Sequence, residues 1–364
     1  MKTFQTNHLP GRTVLTSDGE AYLWFSGTDY LGMGHDEIFR SLLNEGLEQY
    51  GMHFGSSRSN TLRLSVYNET EEKLADWIGS ESALLVSAGM WAGQCVMKII
   101  DQVIYKTGSS QFIQYHYAPK VHPALWGNEH KVYDGPWMDW AQNVNREIRE
   151  GAEHTAHIIC TDAVGSPLVE AFDFSVFSSL PLRDNVWIVV DESHTLGVCG
   201  ESANGLYKSI VAFGKASVIM VSSLNKALGI PAGVIACDAR TAETIRSSAW
   251  FSGASPTAPA YAYALKRLLE IEHYKTQSDL LITNVEHFSN RLQSPHLFQS
   301  IPGYPVFCCE GSALFETLLA KGIMASCFSY PSVNDAPVTR IAVTTLHQKE
   351  DLDRLAEVCN NFIS

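Results

Sequence analysis

The chain has 364 residues, 45% hydrophobic and 18% charged, enough to bury a large core and a second, smaller one. Its 26 Lys+Arg against 39 Asp+Glu leave a net charge of −13, spread along the chain, with no basic cluster suited to nucleic acid. No apolar run is long and charge-free enough to span a bilayer, and the opening "MKTFQTNHLPGRTV" lacks a signal peptide's apolar core.

Residues 1–35 read as an extended arm with turns, containing "YLWFSGTDYLGMG". Helical periodicity begins near Asp36 in "DEIFRSLLNEGLEQYG", where Ile38, Leu42 and Leu43 share a face and Gly51 ends the pattern. "SVYNETEEKLADWIG" predicts a second amphipathic helix stopped by Gly79. Short apolar runs then alternate with helical patterns: "SALLVS" before "MWAGQCVMKIID", "HIICTDAV" before "FSVFSSL", and "NVWIVVDES" before a glycine-containing loop. Such alternation predicts an α/β domain, 36–272, with a mostly parallel central sheet covered on both faces. From Thr257 a long helical pattern leads out of it. Residues 273–364 mix strands ("YPVFCCE", "TRIAVTTL") with helices ("SALFETLLAKG", "EDLDRLAEVCNNFI"), which predicts a smaller C-terminal α+β domain.

Three places carry the candidate chemistry. Lys226 stands alone among small, apolar and hydroxyl residues in "SSLNKALGIPAGVIACD", after the apolar run "ASVIMV". An ammonium there either snorkels to solvent or is a reactive amine with a lowered pKa. Asp191 ends the apolar run of "WIVVDESHTLG", the carboxyl end of a predicted strand, where α/β sheets bind ligands. It can ligate a metal, cap a helix or pair with a cationic ligand, and His194 can reach the same ligand. No HExxH or Cys/His cluster supports a metal. The eight cysteines form no CxxC pair and lie mostly in apolar surroundings, so reduced thiols in a cytoplasmic protein are expected. In "LLVSAGMWAGQCVM" a small-residue turn at Ser87–Gly89 joins a strand to a helix, whose free N–H groups suit a phosphate. Phosphate cradle, aspartate and lysine, in that order, suggest a phosphorylated aromatic aldehyde held as a Schiff base.

The sequence resembles the α-oxoamine synthases, pyridoxal-phosphate enzymes of the aspartate-aminotransferase fold (fold type I). The resemblance runs from "DYLGMGHDE" through "YGMHFGSSRS", "EEKLADWIGSESALLVSAG" and "VDESHTLGVCGESANG" to "LNKALGIPAG" and "TRIAVTTLHQKEDLDRL". It implies that Lys226 bears pyridoxal 5'-phosphate, Asp191 pairs with its ring nitrogen and His194 with its ring hydroxyl. It places His122 ("APKVHPALWG") stacked on the ring and Ser166 beside it. The backbone of Gly89, Met90 and Trp91 takes the phosphate with Ser223 and, from a neighbouring subunit, Ser255. Arg340 grips the amino-acid carboxylate, and Arg12 lies near the thioester entrance.

Read from the residues alone, His122 is equally a loop histidine, Ser166 a turn residue before Pro167, Ser223 a turn cap and Arg12 a solvated arm residue. Arg340 differs, because a guanidinium in an apolar strand calls for an anionic partner. Departures from the family pattern are "GMW" for "GY" or "GF", Tyr67 for a common histidine, Gly253-Ala254 for a hydroxyl pair, and Asp29 for an asparagine.

The resemblance implies a homodimer with its active site at the subunit interface. It also implies a decarboxylative condensation of an amino acid, L-alanine expected, with an acyl thioester carried on CoA or a carrier protein. The alternatives are an aminotransferase or lyase (aldolase) of the same fold, a family member using glycine or serine, and a non-catalytic relative.

Overall fold

The computed structural model describes residues 3–107, 112–127, 130–181, 185–329 and 335–362. Strands β1 (Thr13–Leu15) and β2 (Ala21–Phe25) pair antiparallel within the predicted arm. Then follow β3 (Ser82–Val86), β4 (Phe112–Tyr117), β5 (Thr155–Asp162), β6 (Val186–Asp191), β7 (Ser217–Ser223) and β8 (Gly233–Cys237). They form one sheet in the order β3-β8-β7-β6-β5-β4. Strands β4 to β7 run parallel, and β8 is antiparallel to both its neighbours. β6 is buried from end to end, and Ile188, Val189 and Val190 each contribute about 1.5–3 kcal/mol of burial. The expected mostly parallel α/β fold is thus present.

The remaining strands, β9 (Gln299–Ser300), β10 (Val306–Glu310), β11 (Ile323–Phe328) and β12 (Val338–Ala342), build a second sheet with the arm. Its order is β1-β2-β11-β12-β10-β9, with β2 parallel to β11. So residues 13–25 are not a free arm: their strands complete the sheet of the C-terminal region. "AYLWF" buries Leu23 and Phe25, with β1 on one side of its backbone and β11, some 300 residues further on, on the other.

Helix ends follow their chemistry. Asp36 accepts the N–H of Phe39 to cap Glu37–Tyr50, and Gly79 ends Ser65–Ile78 in the left-handed conformation at φ 84°. The long pattern after Thr257 is two helices, Pro259–Glu270 and His273–Arg291, broken at Glu272 with φ 53°. Neither Gly nor Pro marks that break. Tertiary contacts hold it: His273 Nε2 lies 2.9 Å from Asp36 Oδ2, and the Tyr274 hydroxyl donates to Leu228 O at 3.1 Å. Among the described residues no helix is long and apolar enough to cross a membrane, and no metal-binding group of His, Cys, Asp or Glu occurs. All eight cysteines are free.

Candidate active site

The carboxyl ends of β5, β6 and β7 lie side by side, with Asp162 registered opposite Asp191 and Asp191 opposite Val221. From Ser223 the chain folds back into β8 through a turn closed by Leu224 N–H to Ala232 O and Ile230 N–H to Leu224 O, each 2.9 Å. Leu224, Ala227, Leu228 and Ile230 are buried, which anchors the turn and directs Lys226 inward. Lys226, His122, Asp162, Ser166, Asp191 and His194 line one pocket.

A chain of hydrogen bonds crosses its floor. Arg340 Nη2 donates to the Tyr30 hydroxyl at 2.6 Å, that hydroxyl lies 3.2 Å from His194 Nδ1, and His194 Nε2 lies 3.0 Å from Lys226 Nζ. The Tyr304 hydroxyl donates to His194 O at 3.0 Å and holds the same loop. The direction of the bonds on either side of the imidazole follows from the His194 tautomer, and a neutral Lys226 amine can serve as donor or acceptor at Nε2. Electrostatics favour that neutral amine. Burial, aided by nearby Arg340, lowers the Lys226 pKa against the pull of Asp191 and Asp162. Burial, with Lys226 and Arg340 beside it, holds His194 well below the usual histidine range.

Arg340 is 7% exposed on β12, with Gly27 O at 3.3 Å as its other acceptor. Among the described residues it forms no ion pair with a carboxylate. A buried guanidinium without one is an unfinished ion pair, joined through Tyr30 to His194, which lines the pocket.

The turn expected to take the phosphate is built by close packing. A methyl at Gly89 would sit 2.3 Å from Ser223 Cβ, and one at Gly233 would sit 2.3 Å from Ala88 O. Only glycine lets the start of helix Gly89–Thr107 press on the end of β7. Gly89, Met90 and Trp91 precede the first intrahelical bond, Ala92 N–H to Ala88 O at 2.9 Å, so their N–H groups remain free for an anion. The Trp91 indole N–H at the same helix start is buried without an acceptor among the described residues. Ser223 N–H donates to Ser193 Oγ at 2.8 Å, fixing Ser223 beside the turn.

Ser255 and Arg12, both expected at the site, stand apart from this pocket. Ser255 lies on the exposed loop after Ala249–Ser252. Arg12 closes a bidentate pair on Asp351 at 2.6 and 2.8 Å. The structure adds residues that the sequence reading passed over. Asp162 ends an apolar run just as Asp191 does, a signal present in "HIICTD". Tyr30 and Tyr304 carried none.

Residues 20–358 match the family described as aminotransferase class I and II. The chain belongs to that family. It is 27% identical over 365 residues to the 8-amino-7-oxononanoate synthase of Photobacterium profundum, covering 95% of this chain and 89% of the relative. With the enzyme of the same name from Nitrosomonas eutropha it shares 26% identity, covering 97% and 92%. The fold is similar to that of Sphingomonas wittichii serine palmitoyltransferase, with a TM-score of 0.81, 14% identity and coverage of 98% and 91%. A crystal structure of 8-amino-7-oxononanoate synthase from Francisella tularensis superposes with a TM-score of 0.71, 18% identity and coverage of 93% and 97%. The expected α-oxoamine synthase kinship, fold and pyridoxal-phosphate dependence are borne out. The residues present fit that cofactor: an inward amine, a carboxylate at the strand end, and a helix start that only glycine allows.

Proposed function

We propose that the enzyme joins an amino acid, L-alanine, to an acyl thioester and releases carbon dioxide, in the manner of an 8-amino-7-oxononanoate synthase. The observation that carries this reading is Arg340: buried, without a carboxylate partner, and two hydrogen bonds from His194, which contacts Lys226. An amino-acid carboxylate would complete the pair and bring Cα toward Lys226.

Bound pyridoxal phosphate supplies an aldehyde for the substrate nitrogen and a ring that withdraws the electrons left when Cα loses its proton. Lys226 holds the cofactor and then, as a free amine of lowered pKa, takes the Cα proton. Asp191 would keep a proton on the ring nitrogen, His122 would stack on the ring, His194 would hydrogen-bond the ring hydroxyl and Ser166 would stand beside the ring. Gly89, Met90 and Trp91 receive the phosphate, with Ser223 beside them and Ser255 contributed by a second copy of the chain. Arg12 stands at the thioester entrance. The working form is a cytoplasmic homodimer, a placement supported by eight free thiols.

The test is release of free thiol from acyl-CoA and acyl-carrier-protein thioesters, measured with and without alanine, glycine or serine. Thiol release that requires both substrates, with carbon dioxide from carboxyl-labelled alanine, is expected. Transfer of the amino group to a keto acid, with no thiol released, would make the enzyme an aminotransferase instead.

A further inference from the structure

Because β5 and β6 run parallel in register, the Asp162 and Asp191 side chains leave the sheet on the same side at adjacent strand ends. The two carboxyl groups have different partners. Asp191 Oδ1 accepts the Ser193 N–H at 2.8 Å, and its Oδ2 lies 3.8 Å from His122 Nδ1. Asp162 Oδ2 accepts the backbone N–H of His122 at 3.1 Å, with Oδ1 3.4 Å from the same nitrogen. His122 is therefore held by its main chain on one aspartate, while its ring stands near the other.

We propose that Asp162 is a positioning residue for the cofactor: by anchoring the main chain of His122 it sets where that imidazole stands over the pocket. This rests on the reading above that His122 covers the ring. The loop that carries His122 is held elsewhere by Ala118 N–H on Cys160 O at 2.9 Å and by Gln94 Nε2 on Pro123 O, Ala124 O and Trp126 O at 3.1, 3.1 and 2.9 Å, and Ala124 N–H to His122 Nδ1 at 3.2 Å is a local bond within it; the Asp162 carboxyl is what receives the main-chain N–H of His122 itself. Asp162 ties the loop to the sheet edge from which Asp191 also projects. Burial, and then the Asp191 charge, pushes the Asp162 carboxyl well above the usual carboxylate range. What the His122 N–H meets is an oxygen acceptor. Asparagine offers the same acceptor.

The test reads retention of pyridoxal phosphate and its visible circular dichroism, neither of which depends on the amino acid or thioester used. Asp162→Ala and His122→Ala should each weaken retention about tenfold and diminish the dichroism, the loss of one well-formed hydrogen bond or contact. The double variant should be no weaker than His122→Ala alone, because both changes remove one unit. Asp162→Asn should stay within about threefold of wild type. Losses that multiply in the double variant, or Asp162→Asn as weak as Asp162→Ala, overturn the proposal. If Asp162→Ala does not fold, Asp162→Asn decides, since a tenfold loss there contradicts the anchor. Unchanged retention in His122→Ala removes His122 from the ring and the proposal with it. Loss in His122→Ala without loss in Asp162→Ala overturns the anchor alone.

Discussion

Lys226 Nζ and His194 Nε2 lie 3.0 Å apart, and through His194 the lysine is joined to Tyr30 and then to Arg340. The group proposed to carry the cofactor and the group proposed to grip the substrate carboxylate thus belong to one hydrogen-bonded chain.

Borohydride reduction of the yellow holoenzyme should fix the cofactor to Lys226, and peptide mass spectrometry should find it there. Lys226→Ala should leave nothing to reduce. An adduct on Lys208 or Lys215 would remove Lys226 from its role.

Arg340→Lys should be nearly as damaging as Arg340→Ala, because an ammonium cannot reproduce the planar fork. Loss of the charge-assisted pair should cost about 2–5 kcal/mol of amino-acid binding and largely spare the thioester's KM. Titration of the cofactor absorbance with alanine, glycine and serine measures this. Equal affinity in wild type and both variants would exclude Arg340 from the site.

Tyr30→Phe leaves the ring in its buried place but breaks the chain between Arg340 and His194. A hydrogen bond to a charged group contributes about 1.5–3 kcal/mol, so alanine should bind about tenfold to a hundredfold more weakly. Cofactor retention, which rests on Lys226 and the Gly89 turn, should change far less. If Tyr30→Phe releases the cofactor and leaves alanine affinity intact, the chain does not work in this direction.

Asp191→Asn should keep the cofactor while nearly abolishing exchange of the alanine Cα proton, read by NMR in deuterium oxide. Two opposite charges 4 Å apart interact by about 4 kcal/mol at an effective dielectric of 20, roughly three pKa units on the ring nitrogen. A variant that exchanges normally but melts early would make Asp191 a structural cap.

His347 sets a pH dependence of stability. Its Nδ1 accepts the Thr344 N–H at 2.9 Å, its Nε2 lies 2.9 Å from Trp24 O, and its ring stacks on Phe25 at 3.9 Å. Both nitrogens are satisfied only in the neutral ring, and burial lowers the pKa to about 4. The unfolded chain therefore binds a proton that the folded chain refuses between pH 6.5 and 4. The contribution is complete above the unfolded value and is lost as pH falls toward the folded one, on the order of 3 kcal/mol. Urea melts across this range should show the decline, and His347→Gln should flatten it. An equal slope in that variant would assign the effect elsewhere.

The sequence by itself determined the parts whose causes are local. Apolar runs ending in Asp191 or in "LNKALG" marked strand ends, Asp36, Gly51 and Gly79 marked helix ends, and a lone lysine in apolar surroundings marked a candidate reactive amine. Alternating strands and helices implied a sheet covered on both faces, because parallel strands require crossovers. What only the tertiary structure decided are the long-range pairings. Tyr30 meets Arg340 across 310 residues, and Arg12 meets Asp351 across 339. The arm's strands complete a sheet whose other members begin at Gln299. The helix break at Glu272 follows from contacts to Asp36 and Leu228 rather than from any breaker residue. Periodicity reports which face of an element is apolar, but not which edge it will join. A polar side chain at the end of a strand acquires its role only from what the neighbouring strand places beside it, as Asp162 does next to Asp191.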